Sequence, residues 1–370
     1  MFSCAFTQHQ SQGKSKAINF IFYKAFGGLY SARVMTKIIS ANTEAIKLAA
    51  ALIKEGGLVG MPTETVYGLA ANAKDGRAVA KIFEAKGRPQ FNPLIVHVCR
   101  VDDVLEIAEM NALDMAAARA FWPGPLTLIL RAREDGGLSD LVRAGLPTVA
   151  VRIPAQKTAL AFIEECGVPI AAPSANASGT LSTTTPAHVA QSLGDGVDLI
   201  LADGSCPVGL ESTVLDCTGD VPCILRPGGV TAEELSEALG VEVVYDLGDK
   251  DKGEVKSPGQ LLRHYAPGVP VRLNAVDVEE GEALLTFGPA RFMEVRGTGK
   301  QVVQALPESA IAHLSEEGDL YEAAANLFAM MHKLDCPEHS SIAVMNIPNT
   351  GVGVAINDRL KRAAEKREQE

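Results

Sequence analysis

The chain has no Cys-x-x-Cys pair, no His-Glu-x-x-His and no Gly-x-Ser-x-Gly. Those absences exclude a zinc knuckle, a metalloprotease helix and a hydrolase nucleophile elbow. Its seven cysteines are scattered and odd in number, so no disulfide framework is indicated, and reduced cytosolic thiols are the simplest account. No apolar run is long enough to span a bilayer, which points to a cytoplasmic protein without a membrane partner. Gly13-Lys14-Ser15 looks like the end of a P-loop, but position 8 is Gln8 where a glycine is required, so no complete Walker loop exists. Acidic residues are missing before Glu44, while Lys14, Lys16, Lys24, Arg33 and Lys37 are basic. Residues 1–34 therefore read as an organellar transit peptide or as an over-called start. The second is preferred, because Met35-Thr36-Lys37 opens a convincing strand.

What is present is an ordinary globular composition, 47% hydrophobic and 21% charged over 370 residues, which suits two domains. A net charge of −11 argues against a generic nucleic-acid binder, which would need its cations gathered on one face. Helical and strand patterns alternate, but several connections are too short for parallel crossovers. The expected fold is therefore a mixed, twisted α/β sheet over residues 35–245. Glycine and charge accumulate from Asp246 to Val255 and mark a boundary, giving a linker at 246–269 and a smaller α/β domain at 270–370. Helices are expected at Asn42–Lys54, Asp75–Ala85, Val101–Phe121, Gln156–Cys166, Ala232–Leu239 and Leu320–Leu334. Strands are expected at Leu58–Met61, Leu94–Val98, Leu126–Leu130, Val149–Pro154, Leu199–Ala202, Cys223–Leu225 and Ile342–Ile347. Leu261-Leu262-Arg263 reads as helix-like, and Asp358–Glu370 as a charged, solvated helical tail.

The chain is organised around Lys86-Gly87-Arg88-Pro89-Gln90-Phe91-Asn92-Pro93-Leu94. Gly87 suits a left-handed helix end, and the two prolines stiffen the loop that carries both cations. Held rigidly, Lys86 and Arg88 form an anion site; alone, a Lys-x-Arg at a helix end is equally a favourable partner of the helix dipole. Arg152 is the one charge inside an apolar strand, so it must meet a carboxylate, either internal or from a ligand. Thr65 lies in a hydroxyl-rich run after a strand, where outward strand-edge hydroxyls are the plain alternative. Ser174 and Asn176 follow another strand among small residues. Ser182 to Thr185 read as the cap of a helix at His188–Leu193, and such an N-terminus also suits phosphate. Arg226, before Pro-Gly-Gly, holds an anion or caps the sheet. His97, inside an apolar strand, reads by default as a satisfied core histidine. Cations and hydroxyls on strand-end loops, with no covalent nucleophile, fit ATP or phosphate handling by positioning and charge.

Taken together, Pro62-Thr-Glu-Thr-Val-Tyr-Gly-Leu69, Lys86-Gly-Arg-Pro-x-x-Asn-Pro-Leu94, Ala172-Pro-Ser-Ala-Asn-x-Ser-Gly179, Glu211-Ser-Thr-Val214 and Arg226-Pro-Gly228 closely resemble the threonylcarbamoyl-AMP synthase family. His264-Tyr265-x-Pro267 and Asn357-Asp358-Arg359-Leu360-x-Arg362-Ala363-Ala364 resemble its long form. The resemblance implies a YrdC-like catalytic domain with an open cleft, a linker and a Rossmann-like C-terminal domain. It also implies ATP-dependent condensation of L-threonine with bicarbonate or CO2. Threonine becomes a carbamate, whose oxygen attacks the α-phosphate, releasing pyrophosphate and forming threonylcarbamoyl-adenylate. Downstream threonylcarbamoyl-transferase proteins then modify an adenosine of tRNA, and direct RNA contact is left open.

By matching position, Thr65, His97, Arg152, Ala172 and Ser212 are expected at threonine. Arg88, Asn92, Thr148, Ser174, Ser182, Arg226 and Tyr265 are expected at ATP, with Lys86 adding charge at the phosphates beside Arg88. Mg2+ is expected on the phosphate oxygens rather than in a protein site. The linker Ser257–Pro267 is expected to close over the cleft, with a passive tether as the alternative. A double-stranded-RNA-binding module is opposed by the acidic charge. A hydrogenase-maturation carbamoyltransferase is opposed by the missing Cys-x-x-Cys fingers and acylphosphatase segment.

Overall fold

The computed structural model describes residues 37–247, 264–289, 293–296, 300–302 and 306–365. The expectations for residues 1–34, for Leu261-Leu262-Arg263 and for most of the linker lie outside the described residues.

Twelve strands form the larger sheet: β1 (Lys37–Ser40), β2 (Val59–Met61), β3 (Gly68–Asn72), β4 (Ile95–His97), β5 (Ala108–Glu109) and β6 (Leu126–Ala132), then β7 (Thr148–Arg152), β8 (Ile170–Ala171), β9 (Leu199–Ala202), β10 (Thr213–Asp216), β11 (Cys223–Arg226) and β12 (Val244–Tyr245). Their order is β1-β9-β2-β3-β8-β4-β7-β6-β10-β11-β12, with β5 on β6. The sheet is mixed, as expected: β4 runs parallel to β7, but both β3 and β4 run antiparallel to β8. Short loops and tight turns can join only antiparallel neighbours, which is why the brief connections in the sequence foretold this.

Side chains alternate across each strand, and the two faces differ. Val96, Leu128 and Val151 point into a large apolar core shared with the helices Gly76–Lys86 and Ala112–Phe121. The other face carries a small cluster, Ile95, Ile129, Ala150, Val214 and Leu225, and beside it polar groups. On β4 and β7 the register pairs His97 with Arg152, so these two stand side by side on that second face. Strands that read as almost wholly apolar in sequence thus carry a buried guanidinium and an imidazole together on one face.

Local signals behave as their chemistry dictates. Asn42 caps Thr43–Lys54 by accepting from Ala45 N at 2.9 Å, and Gly87 ends Gly76–Lys86 with φ of 59°. Two expectations are corrected. The single helix Val101–Phe121 is two, Val101–Ile107 and Ala112–Phe121, separated by β5. Asn111 and Asp114 form a reciprocal capping box there, at 2.8 and 2.9 Å, which starts a new helix inside one apolar periodicity. The C-terminal tail is not a solvated face either. Its helix, Gly353–Ala364, buries Ile356, Arg359, Leu360 and Ala363.

The smaller sheet comprises β13 (Val271–Arg272), β14 (Ala283–Thr286), β17 (Ile311–His313) and β18 (Ile342–Val344), all parallel, in the order β13-β18-β14-β17. A separate pair, β15 (Glu294–Val295) with β16 (Lys300–Gln301), is antiparallel. The helix Leu320–Leu334 packs both on this sheet and on the larger unit: one apolar cluster joins Val66, Leu181 and Leu210 to Tyr265, Leu327 and Phe328. At that junction Gly209 has φ of 74°, and a Cβ there would stand 2.4 Å from Ala324 O and 2.5 Å from Ala325 Cα. Gly209→Ala is therefore expected to lower stability by about 2 kcal/mol or more, from left-handed strain and a backbone clash. Urea denaturation checks this; an unchanged midpoint would mean that the helix yields freely.

Candidate active site

The second face of the sheet opens into a cleft. Thr65, Arg88, His97, Arg152, Ala172, Ser174, Ser212, Arg226 and Tyr265 line it together. Lys86, Asn92 and Ser182 stand behind its walls. Thr148 lies on the same face of β7 as Arg152, four residues along, or about 13 Å at strand rise.

Arg152 sits at the end of β7 and is almost fully buried. Its Nε donates to Gly124 O at 3.1 Å, Nη1 to Thr65 Oγ1 at 2.8 Å and Nη2 to Glu64 Oε1 at 2.5 Å. Three of the five N–H groups of a guanidinium are used, and the other two have no partner among the described residues. The internal carboxylate expected for this residue is Glu64, and the fork it holds lines the cleft. Thr63 braces the arrangement through Thr65 Oγ1 at 2.8 Å. Beside it, burial and then the Arg152 charge press His97 down to about 3, so its imidazole is neutral. His97 Nδ1 has no partner among the described residues, while the backbone of Ile95 and Ile170 supports the ring, so the reading of a satisfied core histidine holds only in part.

The opposite wall is cationic. Arg88 Nη2 donates to Pro93 O at 2.9 Å, which folds its stiff loop back on the guanidinium. Burial, then the neighbouring Arg226, lower Arg88 to about 10. Arg226 donates to Ser212 O at 2.8 Å and Ser212 Oγ at 3.1 Å, and Ser212 Oγ meets Thr127 Oγ1 at 2.7 Å. Burial lowers Arg226 as well, with the Arg359 and Arg152 charges adding to it and Glu211 working against it, so this wall concentrates positive charge in a buried place.

The residues behind the walls fix the loops. Lys86, expected at the phosphates, instead donates to Ser174 O at 2.6 Å and to Asn176 O, and so ties the Ala172–Gly179 loop to the helix Gly76–Lys86. Burial, then Arg88, hold its ammonium well below the usual lysine range. Asn92 is fully buried with both amide atoms unpartnered among the described residues, while its carbonyl accepts from Arg88 Nε at 3.4 Å. The expected N-cap is Thr185, accepting from His188 N at 3.2 Å; Ser182 turns away to donate to Glu211 Oε1 at 2.5 Å.

Comparison with known proteins matches this geometry to a family. Residues 51–228 match the family model described as "Telomere recombination", and residues 230–365 match "Threonylcarbamoyl-AMP synthase, C-terminal domain". The threonylcarbamoyl-AMP synthase of Bacillus subtilis is 40% identical over 89% of this chain and 96% of its own. The chain belongs to the threonylcarbamoyl-AMP synthase family. The synthase of Pyrococcus abyssi is 38% identical over 86% of this chain and 94% of its own. A crystal structure of the P. abyssi protein, complexed with L-threonine, superposes with a TM-score of 0.77 at 34% identity, covering 89% of this chain and 97% of that one.

Three residues of this family member carry the site without having been singled out for it by sequence. Glu64 holds Arg152, Glu211 holds Ser182, and Arg359 holds Glu211. The signals were available: Glu64, Glu211 and Arg359 all lie inside the motif blocks. Carboxylates looked out of place in a site for anions, because the sequence does not reveal that each is matched by a buried arginine.

Proposed function

We propose that the cleft makes threonylcarbamoyl-AMP and pyrophosphate from L-threonine, bicarbonate or CO2, and ATP. The observation that carries this reading is the division of one cleft into two cationic ends of different design. Arg152 offers a fork with two unused N–H groups beside a neutral His97 and Thr65, which suits the carboxylate and amine of one amino acid. Arg88 and Arg226 form a wider cationic wall near Ser174 and Ser212, suited to a polyphosphate. Thr148 extends the same face by about the length of a nucleotide.

Chemistry then follows from positioning. Threonine's uncharged amine adds to CO2 and loses a proton to give the carbamate. A carbamate oxygen attacks the α-phosphorus, and the bond to the β-phosphate oxygen breaks with pyrophosphate as leaving group. The substrate supplies the nucleophile, and Arg88 and Arg226 stabilise charge on the phosphates. Magnesium enters as part of the substrate, on the phosphate oxygens. The carboxylates at the cleft, Glu64 and Glu211, are engaged by Arg152 and Arg359, which fits a metal carried by the nucleotide.

The cavity is about 40 Å³, room for a few waters, whereas ligand pockets start at about 300 Å³. Admission of ATP therefore displaces His264 and Tyr265, which fill one side, in keeping with a linker that closes over the site. The product is handed to transferase proteins that act on tRNA adenosine.

Pyrophosphate release measured with magnesium and ATP, leaving out threonine or bicarbonate in turn, tests the reading. Release is expected only when both are supplied. Release indifferent to threonine would reduce the protein to a nucleotide-binding module, and a salt-sensitive RNA shift without any turnover would revive the RNA-binding alternative.

A further inference from the structure

The C-terminal domain reaches the site through one side chain. Arg359, on the helix Gly353–Ala364, is completely buried against the catalytic domain. Its Nε and Nη2 both stand 3.0 Å from Glu211 Oε2, and its Nη1 donates to Pro227 O at 2.6 Å. The guanidinium also lies 5.2 Å from the centre of the Tyr265 ring. Asp358 braces the arginine at 3.0 Å and is itself held by Arg362 Nε at 2.9 Å. One residue of the second domain thus touches three segments of the cleft wall: Glu211-Ser212, Arg226-Pro227 and His264-Tyr265.

Glu211 is a buried carboxylate in a wall that has to accept a polyanion. Left alone it would repel the phosphates and would pair with Arg226, whose charge the nucleotide needs. Arg359 removes both problems. It neutralises Glu211 and fixes that carboxylate so that its other oxygen receives Ser182 Oγ. Through Pro227 O it also pins the turn on which Arg226 ends its strand.

We propose that Arg359 is a positioning residue for ATP, the contribution of the C-terminal domain to the nucleotide half of the site. The inference rests on the reading of the cleft as an ATP and threonine site. It assigns the second domain a part in substrate binding, acting through Glu211, Ser182 and Arg226 rather than by touching the reacting atoms.

The test uses the full chain with Arg359→Gln and Arg359→Lys, checked for folding by thermal melting. Two readouts are taken: ATP affinity by equilibrium titration, and the KM values for ATP and threonine in pyrophosphate release. Arg359→Gln is expected to weaken ATP about tenfold or more while the threonine KM moves less than about twofold. Arg359→Lys restores part of the loss, because charge returns without the fork. In a Glu211→Gln background the Arg359→Gln change is expected to add little, since Glu211 transmits the effect. If Arg359→Gln does not fold, Arg359→Lys carries the comparison. Unchanged ATP affinity in a folded variant overturns the proposal, as does an equal loss for ATP and threonine, or full additivity with Glu211→Gln. A wild-type protein that binds ATP but turns nothing over would defeat the synthase reading instead, with the titration still testing Arg359.

Discussion

Arg152→Ala is expected to lower kcat/KM for threonine by about a hundredfold to a thousandfold, the equivalent of about 3–4 kcal/mol lost from a buried, hydrogen-bonded charge pair. The guanidinium does two things at once. It holds the buried Glu64, and beside His97 it presents two N–H groups without a partner among the described residues. Truncation leaves the Glu64 carboxylate buried with no cation, so a fall in melting temperature accompanies the loss of activity. Arg152→Lys separates the two effects. It keeps a positive charge near Glu64 and should recover most of the stability, yet a point charge cannot hold Glu64, Thr65 and a substrate carboxylate in one plane. Its threonine KM is therefore expected to stay raised, while its ATP KM remains within about threefold of wild type. Steady-state pyrophosphate release with each substrate varied in turn is the measurement. An unchanged threonine KM in Arg152→Lys would make Arg152 an internal ion pair and nothing more.

How much of this was legible beforehand differs by element. Wherever a single residue type dictates a local geometry, the sequence was sufficient: Asn42 and Thr185 as caps, Gly87 as a left-handed helix end, Arg152 as a charge that had to find a carboxylate. The mixed character of the sheet followed from loop length. Side-chain roles that depend on distant partners did not follow. Lys86 was expected at phosphates because it lies two residues from Arg88, but the helix ends between them. The two cations diverge, one behind the wall and one on it. Thr148 and Arg152 were expected at different substrates, and they stand on one face of β7 about 13 Å apart at strand rise. The role of Arg359 was hidden for the opposite reason. A charged helical tail is normally solvated, and only the docking of the second domain shows that one of its arginines is covered from every side. The capping box at Asn111 and Asp114 was readable in principle, yet the apolar period continued across it and masked the break.

Acidification from pH 7 to pH 5 is expected to cost this protein about 4 kcal/mol of stability from two buried histidines. Burial, then Arg152, lowers His97 to about 3; burial, then Arg88 and Lys86, holds His264 well below the ordinary histidine value. Both are neutral in the fold. In the unfolded chain each takes up a proton below about pH 6.5, so the unfolded state binds more protons and gains on the native state as pH falls. Each histidine then contributes about 2 kcal/mol of loss at pH 5, a large share of a typical total of about 5–15 kcal/mol. His188 and His332 act in the same direction. Their rings stack with centroids 4.1 Å apart, one on the helix Pro186–Leu193 and the other on Leu320–Leu334, and burial lowers both. Protonation of either is therefore expected to loosen the junction between the two units first. Asp114 works the other way: burial raises it to about 6, so the folded state takes up its proton earlier and recovers part of the loss. Glu211 stays ionised over this window, since the Arg359 and Arg226 charges outweigh its burial and hold it below the usual glutamate value. Urea denaturation at pH 7 and pH 5 measures the net effect, and His264→Asn should flatten the dependence by about half of the two-histidine share. Stability that is level between pH 7 and pH 5 would mean that His97 and His264 meet solvent or an acid in the native state, and that the cleft in solution is not this buried, cationic one.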